Sequence, residues 1–544
     1  MSIELEIFEM VFFIVSYFSY VILKSKKSFH MLQQNFYNNS NRYLKWIKNN
    51  PKKTLVTWDF VIIPIIFLLF YFNEKGMILS PIYHIYLILG FFYSWMFFYY
   101  FKKYKKESVI ISFKITSRVK RMFITWMLLY GLVILFTIGE NARIGLYIFM
   151  FLSSLNAFFI YLINLINKPA EKMVYYHYFH KAKKKIKEDT RLNVIGVTGS
   201  YGKTSSKNIL ADILRVKYDT LPTPKNFNTP YGLMLTINNH LDKFTEYLVA
   251  EMGACEVGQI KELCDFVKPK YGILTKIGVA HLESFKTEEN IQKTKFELIE
   301  SLPEDGIGIL NMDDAKQVNY KIKNNCHIRW IAIDNQDADL VASNIKGTPT
   351  GMSFDVRFKG DKKKYKLETK LLGSANVYNI LAAVMLAFEL GMSMEEIQMG
   401  VKGINTIPNR LELKKVGGLT LIDDGYNSNP VGAKMALDTL ALMPGKKIVV
   451  TPGMIELKDK QYELNYEFGR QISKVADIVV LVNKKQTKPI LDGLLKEGYK
   501  KKNIYVYDDI YEAFNLLRKI SDSNTFILIE NDLPDIFTES RKKK

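Results

Sequence analysis

Asn193-Val-Ile-Gly-Val-Thr-Gly-Ser-Tyr-Gly-Lys-Thr-Ser-Ser-Lys-Asn-Ile-Leu-Ala211 is an apolar strand that runs into a glycine turn and then into a helix. Glycines at such a junction let the backbone curl so that its N–H groups point inward at phosphate oxygens. The helix that follows adds the positive end of its dipole. Gly199, Ser200, Tyr201 and Gly202 form the turn, and Lys203, Thr204 and Ser205 open the helix. Lys203 is placed to neutralise terminal phosphates, and Thr204 to hold Mg2+ through its hydroxyl. The spacing is Thr198-Gly199-x-x-Gly202-Lys203-Thr204, with Val197 where a longer phosphate loop carries its first glycine. The reading is an ATP site on a parallel α/β sheet.

Upstream, five apolar segments at about 5–23, 54–72, 80–101, 122–138 and 143–166 each approach the ~20 residues that cross a bilayer. The first lacks a basic start and a small-residue cleavage site, so it reads as a retained anchor. Residues 24–53, 102–121 and 168–191 each hold eight Lys/Arg, whereas the alternate loops carry only Lys75. That bias places the N-terminus outside, and the three basic segments with everything after 168 in the cytoplasm. The expected location is the plasma membrane of a bacterium, as a multi-pass protein.

The three basic segments carry 24 Lys/Arg against Glu107, Glu171, Glu188 and Asp189, which accounts for the whole net charge of +20. The rest of the chain is balanced. The basic residues therefore suit anionic lipid headgroups rather than nucleic acid. Cys255, Cys264 and Cys326 have no metal-binding spacing and read as reduced thiols.

From 193 onward strands and helices alternate. Strands are expected at 193–198, 245–251 and 271–276, and helices at 203–217, 256–266 and 290–301. Residues 329–372 are more strand-like, 376–391 form a long apolar helix, and a boundary falls near Ile407-Pro408-Asn409. Strands at 419–423, 446–451, 477–482, 503–507 and 525–529 then suggest a second, smaller Rossmann-like α/β domain. The expected division is a transmembrane helical domain at 1–167, a basic linker at 168–191, an ATP-binding domain at 192–408 and a C-terminal domain at 409–544. Polar groups at strand ends are where open α/β sheets bind ligands. Glu251 ends one strand and suits Mg2+; His281 follows another and could be a metal ligand or an orienting group. On composition alone Lys295 is no different from Lys293 on the same helix.

Together these residues resemble the Mur ligases, the ATP-dependent amide-forming enzymes of cell-wall peptide synthesis. The matching stretches are Thr198–Thr204, Thr223-Pro-Lys-Asn-Phe-Asn-Thr229, Glu251-Met-Gly-Ala254, Ile277-Gly-Val-Ala-His-Leu-Glu-Ser-Phe285, Leu310-Asn-Met-Asp-Asp314, Asn376-Val-Tyr-Asn-Ile-Leu-Ala-Ala383, Asn409-Arg-Leu-Glu412 and Asp423-Asp-Gly-Tyr-Asn-Ser-Asn-Pro430. They occur in the family's order. The last of them and the Asn-Phe-Asn loop favour the branch that adds D-alanyl-D-alanine to a muramoyl tripeptide.

The resemblance implies roles. Lys203, Thr204, Glu251 and His281 would hold phosphates and Mg2+. Lys295 would be carbamylated and would bind a second Mg2+. Asn379 would face the adenine, Arg410 would reach the phosphates from the next domain, and Asp424 would contact the ribose. Asn226, Asn228, Asn427 and Asn429 would lie towards the acceptor. The implied reaction makes an acyl phosphate and then an amide, from a wall precursor and an amino acid or dipeptide. Three features depart from the family. No uridine-binding domain fits into 168–191, Ala375 replaces a histidine, and Gly453 replaces an aspartate. The first, with the membrane segments, raises a lipid-linked acceptor as an alternative. A membrane scaffold that binds nucleotide without turnover is the reading from outside the enzyme class.

Overall fold

The computed structural model describes residues 3–35, 37, 42–55, 57–74, 84–105, 112–137, 142–278, 282–416, 418–425, 429–455, 457, 460–508 and 510–531. The chain divides into two compact units, Met1–His177 and Tyr178–Leu533.

The N-terminal unit is helical: Ile3–Gln34, Arg42–Asn49, Pro51–Thr54, Trp58–Glu74, Ile85–Lys105, Ser117–Thr137, Ala142–Ser154 and the start of Asn156–Glu188. Most described residues of the expected apolar segments are helical, but the expectation of five spans needs correction. Among the described residues only Ile3–Gln34 and Ser117–Phe136 are long and apolar enough to cross a membrane. A third span arises only if Ile144–Ser154 and Asn156–Glu188, bent by 88°, count as one. Trp58–Asn73 is shorter, and Ile85–Lys105 ends in Lys102, Lys103 and Lys105.

The bend has a visible cause. Ser153 and Ser154 turn their hydroxyls back onto Met150 O (2.9 Å) and Phe151 O (3.0 Å). The helix breaks at Leu155, and the freed Ser153 carbonyl accepts from Lys24 Nζ at 2.7 Å. Lys24 also meets Asp59 Oδ2 at 2.9 Å, and both side chains are buried. Asp59 is therefore the internal counter-ion of Lys24. Around this pair Tyr17, Tyr20, Tyr93 and Tyr130 build an aromatic core.

The second unit holds two sheets. The first has strands β1 (Asn193–Thr198), β2 (Thr220–Pro222), β3 (Tyr247–Glu251), β4 (Tyr271–Leu274), β5 (Ile307–Asn311), β6 (His327–Ala332), β7 (Leu340–Thr348), β8 (Gly351–Phe358) and β9 (Tyr365–Thr369). Their order is β2-β3-β1-β4-β5-β6-β7-β8-β9. It is parallel through β7 and antiparallel beyond. β1 is apolar on both faces because helices cover both, as parallel sheets require. Helices Lys203–Leu214 and Ala375–Glu389 belong to the core on one of those faces. β1 lies between β3 and β4, so the loop after it opens at the strand-order switch, where α/β sheets bind ligands.

The second sheet comprises β10 (Glu412–Val416), β11 (Leu419–Asp424), β12 (Lys446–Thr451), β13 (Ile478–Val482), β14 (Ile504–Tyr507) and β15 (Thr525–Glu530). Its order is β10-β11-β15-β12-β13-β14, parallel except for the β10–β11 pair. All five strands expected here are present, and the antiparallel edge strand β10 is additional to them.

Candidate active site

The loop Gly199–Gly202 is held by its neighbours. The Ser200 N–H donates to Lys276 O (2.9 Å), its hydroxyl to Gly278 O (2.8 Å), and the Thr275 hydroxyl to Tyr201 O (2.6 Å). Gly199 and Gly202 have φ of 149° and 85°, a region L residues avoid. A Cβ at Gly199 would collide with Thr275, and one at Gly202 would stand 2.8 Å from Asn379 Oδ1. Lys203 Nζ folds back to donate to Gly199 O (2.8 Å) and Ser200 O (3.0 Å). Desolvation lowers its pKa, and the Arg410 charge acts in the same direction against the opposing pull of Glu251. An anionic oxygen at the loop would relieve that stress. Ser205 is buried on the first turn of the helix.

Glu251, at the end of β3, is 1% exposed. Its Oε1 accepts from Thr204 Oγ1 (3.1 Å) and Asn228 Nδ2 (3.1 Å). Its Oε2 accepts from Lys207 Nζ at 3.2 Å. A threonine hydroxyl and a carboxylate oxygen side by side, next to the phosphate loop, are a hard-oxygen donor set that fits Mg2+. No group of three or more His, Cys, Asp or Glu that could hold a metal occurs among the described residues. Among the described residues, Thr204 and Glu251 are the adjacent oxygen donors beside this loop.

Asn379 is tied to the same helix: its Oδ1 accepts from Ser206 Oγ (2.8 Å) and its Nδ2 donates to Asn376 Oδ1 (3.0 Å). Asn376 in turn donates to Leu372 O (2.7 Å). Lys295 is 3% exposed, with Nζ 5.7 Å from the Phe285 ring centre. Burial, helped by the charge of Lys203, brings its pKa down to about 7.

Arg410 stands between Asn409 (φ 57°) and Leu411 (φ 48°). A leucine in the left-handed region is strained, and strain of this kind gathers at sites whose geometry is over-determined. Asp424, at the end of β11, accepts from the Leu411 N–H at 3.3 Å. Burial raises its pKa to about 6, opposed by the Arg410 charge.

The structure thus brings together Gly199–Ser205, Glu251, Asn228 and Asn379 by direct contact, and links Lys295, Arg410 and Asp424 to them through charge. Asn226 lies in the loop between β2 and the helix Pro230–Asn239. The Asn429 side chain is engaged locally, where its Oδ1 accepts from the Gly432 N–H (3.0 Å) and caps the helix Pro430–Ala441. His281 and Asn427 lie outside the described residues. Gly453 has φ 83°, and its carbonyl accepts from Asn531 Nδ2 at 2.7 Å. Sequence reasoning missed Lys207, fully buried against Glu251. The signal was its spacing, since four residues after Lys203 is the same helix face one turn on.

The segment Leu310–Asp314 proves to be a brace. Asp314 Oδ2 accepts from the Ile277 N–H at 2.9 Å. Asp313 Oδ2 accepts from the Ile333 and Asp334 N–H groups (2.6 and 3.0 Å) and from the Tyr378 hydroxyl (3.0 Å).

The Mur ligase middle domain model matches residues 197–387, and the Mur ligase, glutamate ligase domain model matches 409–530. The UDP-N-acetylmuramoyl-tripeptide–D-alanyl-D-alanine ligase of Escherichia coli is 30% identical over 54% of this chain and 64% of its own length. The chain thus spans slightly less than two thirds of that relative. The ligase of the same name from Borreliella burgdorferi is 30% identical over 63% of this chain and 72% of its own. The crystal structure of MurF ligase from Thermotoga maritima in complex with ADP is 26% identical, with a TM-score of 0.58 over 66% of this chain and 80% of that one. Two domain matches in sequence order, over a fold shared with that structure, show that the chain belongs to the Mur ligase family.

Proposed function

We propose that this chain is a membrane-anchored, ATP-dependent and ADP-forming amide ligase of cell-wall precursor synthesis. It couples a carboxylate on a muramoyl peptide to an amine such as D-alanyl-D-alanine. The observation that carries the reading is the Thr204–Glu251 pair (3.1 Å) at the foot of the glycine turn, in a chain whose relatives are named for that reaction. The division at 192–408 and 409–544 then separates the ATP-binding domain from the domain that brings Arg410 and Asp424.

A carboxylate oxygen of the acceptor attacks the γ-phosphorus of ATP, the bond to the bridging oxygen breaks, and ADP leaves. The amine nitrogen then attacks the acyl carbon, loses a proton, and phosphate departs. Lys203 and Arg410 offset the negative charge that gathers as carboxylate meets phosphate. Thr204 and Glu251 would hold Mg2+, which when bound screens the phosphate oxygens. Asn379 and Asp424 would hold the nucleoside, with Ser200, Tyr201 and Ser205 lining the phosphate turn. Asn226, Asn228, Asn427 and Asn429 would face the acceptor, and His281 would stand near the metal. Burial that leaves Lys295 largely neutral above pH 7 supports its carbamylation, because the neutral amine is the form that captures CO2.

The helices of the N-terminal unit and the basic segments beside them support anchoring, with the catalytic part in the cytoplasm. The test is phosphate release from ATP by the detergent-solubilised full chain. Nucleotide-linked and lipid-linked muramoyl tripeptide are offered as acceptors with D-alanyl-D-alanine, beside Lys203→Ala. Release that requires both an acceptor and the amine, and that fails in the variant, is the expected result. Nucleotide binding without release for any pair would overturn the proposal in favour of a scaffold.

A further inference from the structure

Lys207 has no part in the chemistry outlined above, yet it is among the most fully buried polar side chains of the second unit. It stands on the helix Lys203–Leu214, one turn beyond Lys203. Its Nζ donates to Glu251 Oε2 at 3.2 Å and to the main-chain carbonyl of Lys225. Lys225 has φ 49° and begins the Lys225-Asn-Phe-Asn228 turn. Asn228 of that turn returns to the other oxygen of the same carboxylate, Glu251 Oε1, at 3.1 Å. Its carbonyl also accepts from the Gly253 N–H at 2.8 Å. One ammonium group therefore ties three elements together: the phosphate-loop helix, the end of β3 and the turn expected to meet the acceptor.

We infer that Lys207 is a positioning residue that locks the 223–229 turn to Glu251, so that the acceptor loop and the metal ligand adopt one joint arrangement. The inference rests on the function proposed above, since it takes Glu251 as a Mg2+ ligand. Two opposing effects make it testable. A fixed positive charge beside a metal ligand repels the metal, so its removal should tighten metal binding if electrostatics alone ruled. If positioning rules, removal frees the carboxylate to rotate, and binding weakens. Groups that orient metal ligands from behind are worth on the order of 10- to 100-fold in metal affinity. Among the described residues the carboxylate has few rescuers: its remaining side-chain donors are Thr204 and Asn228, both on Oε1.

The experiment uses the full chain in detergent and the variant Lys207→Gln, which keeps donor groups but loses the charge and the reach. Two readouts need no turnover. Mn2+ binding in the presence of ADP is followed by electron paramagnetic resonance. Amide hydrogen exchange is followed for peptides covering 223–229. The expected result is Mn2+ binding weakened at least tenfold together with faster exchange in the turn, while the helix 203–214 keeps its protection. Tighter or unchanged Mn2+ binding, or unchanged exchange in the turn, overturns the inference. Absence of Mn2+ binding in the unmutated protein would instead sink the proposed metal site, so the two failures are distinct. Should Lys207→Gln not fold, Lys207→Arg carries the same two readouts, because its longer, forked head cannot reproduce the contacts of the compact ammonium.

Discussion

Lys295 offers a quantitative check on the proposed chemistry. Burial and the neighbouring Lys203 charge bring its pKa to about 7. An ordinary lysine at 10.5 is about 0.3% neutral at pH 8, whereas one at 7 is about 90% neutral. The fold thus enriches the CO2-reactive amine about 300-fold over a surface lysine. The sign follows from the charge: the neutral form is lost as pH falls through 7. At pH 6 about one tenth remains neutral, so the rate of carbamate formation should fall about tenfold between pH 8 and pH 6 at fixed dissolved CO2. The perturbation is pH, and the assay is 13C NMR of protein equilibrated with 13C-bicarbonate, with Lys295→Arg as control. A carbamate resonance at pH 8 that is lost in the control and forms about tenfold more slowly at pH 6 is expected. No resonance at pH 8, or one that survives Lys295→Arg, would refute the argument that burial prepares this amine.

Further tests address other parts of the structure. Thr204→Val removes the hydroxyl beside Glu251 but keeps the shape of the side chain; phosphate release should drop by about two orders of magnitude, with melting temperature little changed. Gly202→Ala places a methyl group 2.8 Å from Asn379 Oδ1 at φ 85°, which should cost about 1–2 kcal/mol in the loop and weaken ADP binding measured by calorimetry. In the N-terminal unit, Asp59→Asn leaves the Lys24 ammonium buried without its counter-ion and should cost about 3–5 kcal/mol, read as a lower melting temperature in detergent. The double variant Lys24→Met/Asp59→Leu should recover most of that loss; additive losses would show that the pair is not coupled.

Much of the second unit could be read from local pattern. The apolar run 193–198, the glycines at 199 and 202 and the Lys-Thr pair predict strand, turn and helix because each has its own backbone requirement. The same holds for the strands at 446–451, 477–482 and 525–529, whose apolar runs supply alternate residues to two cores, one on each face. The β1–β3 pairing, which sets Val197 opposite Glu251, then fixes where Glu251 must stand relative to Thr204. By contrast, β10 escapes a reading of the sequence because Glu412-Leu-Lys-Lys-Val416 carries little apolar signal; pairing with β11 makes it a strand. Asn429 reads as a substrate residue from its motif, and the fold adds a second task that the motif does not reveal, since its Oδ1 caps the helix Pro430–Ala441. The expected fifth membrane segment divides at Leu155, where serine hydroxyls bend back onto the helix and Lys24 takes up the freed carbonyl.

The sequence alone determined the family, and it pointed to the order of domains and to the glycine turn, since these rest on contiguous residues whose spacing carries the signal. Tertiary structure alone decided which groups share a charge. Lys207 became the partner of Glu251, Asp59 that of Lys24, and Lys295 a buried amine whose pKa is lowered to about 7. Such pairings join residues tens of positions apart, and only the packed chain sets the distances and the loss of water on which their strength depends.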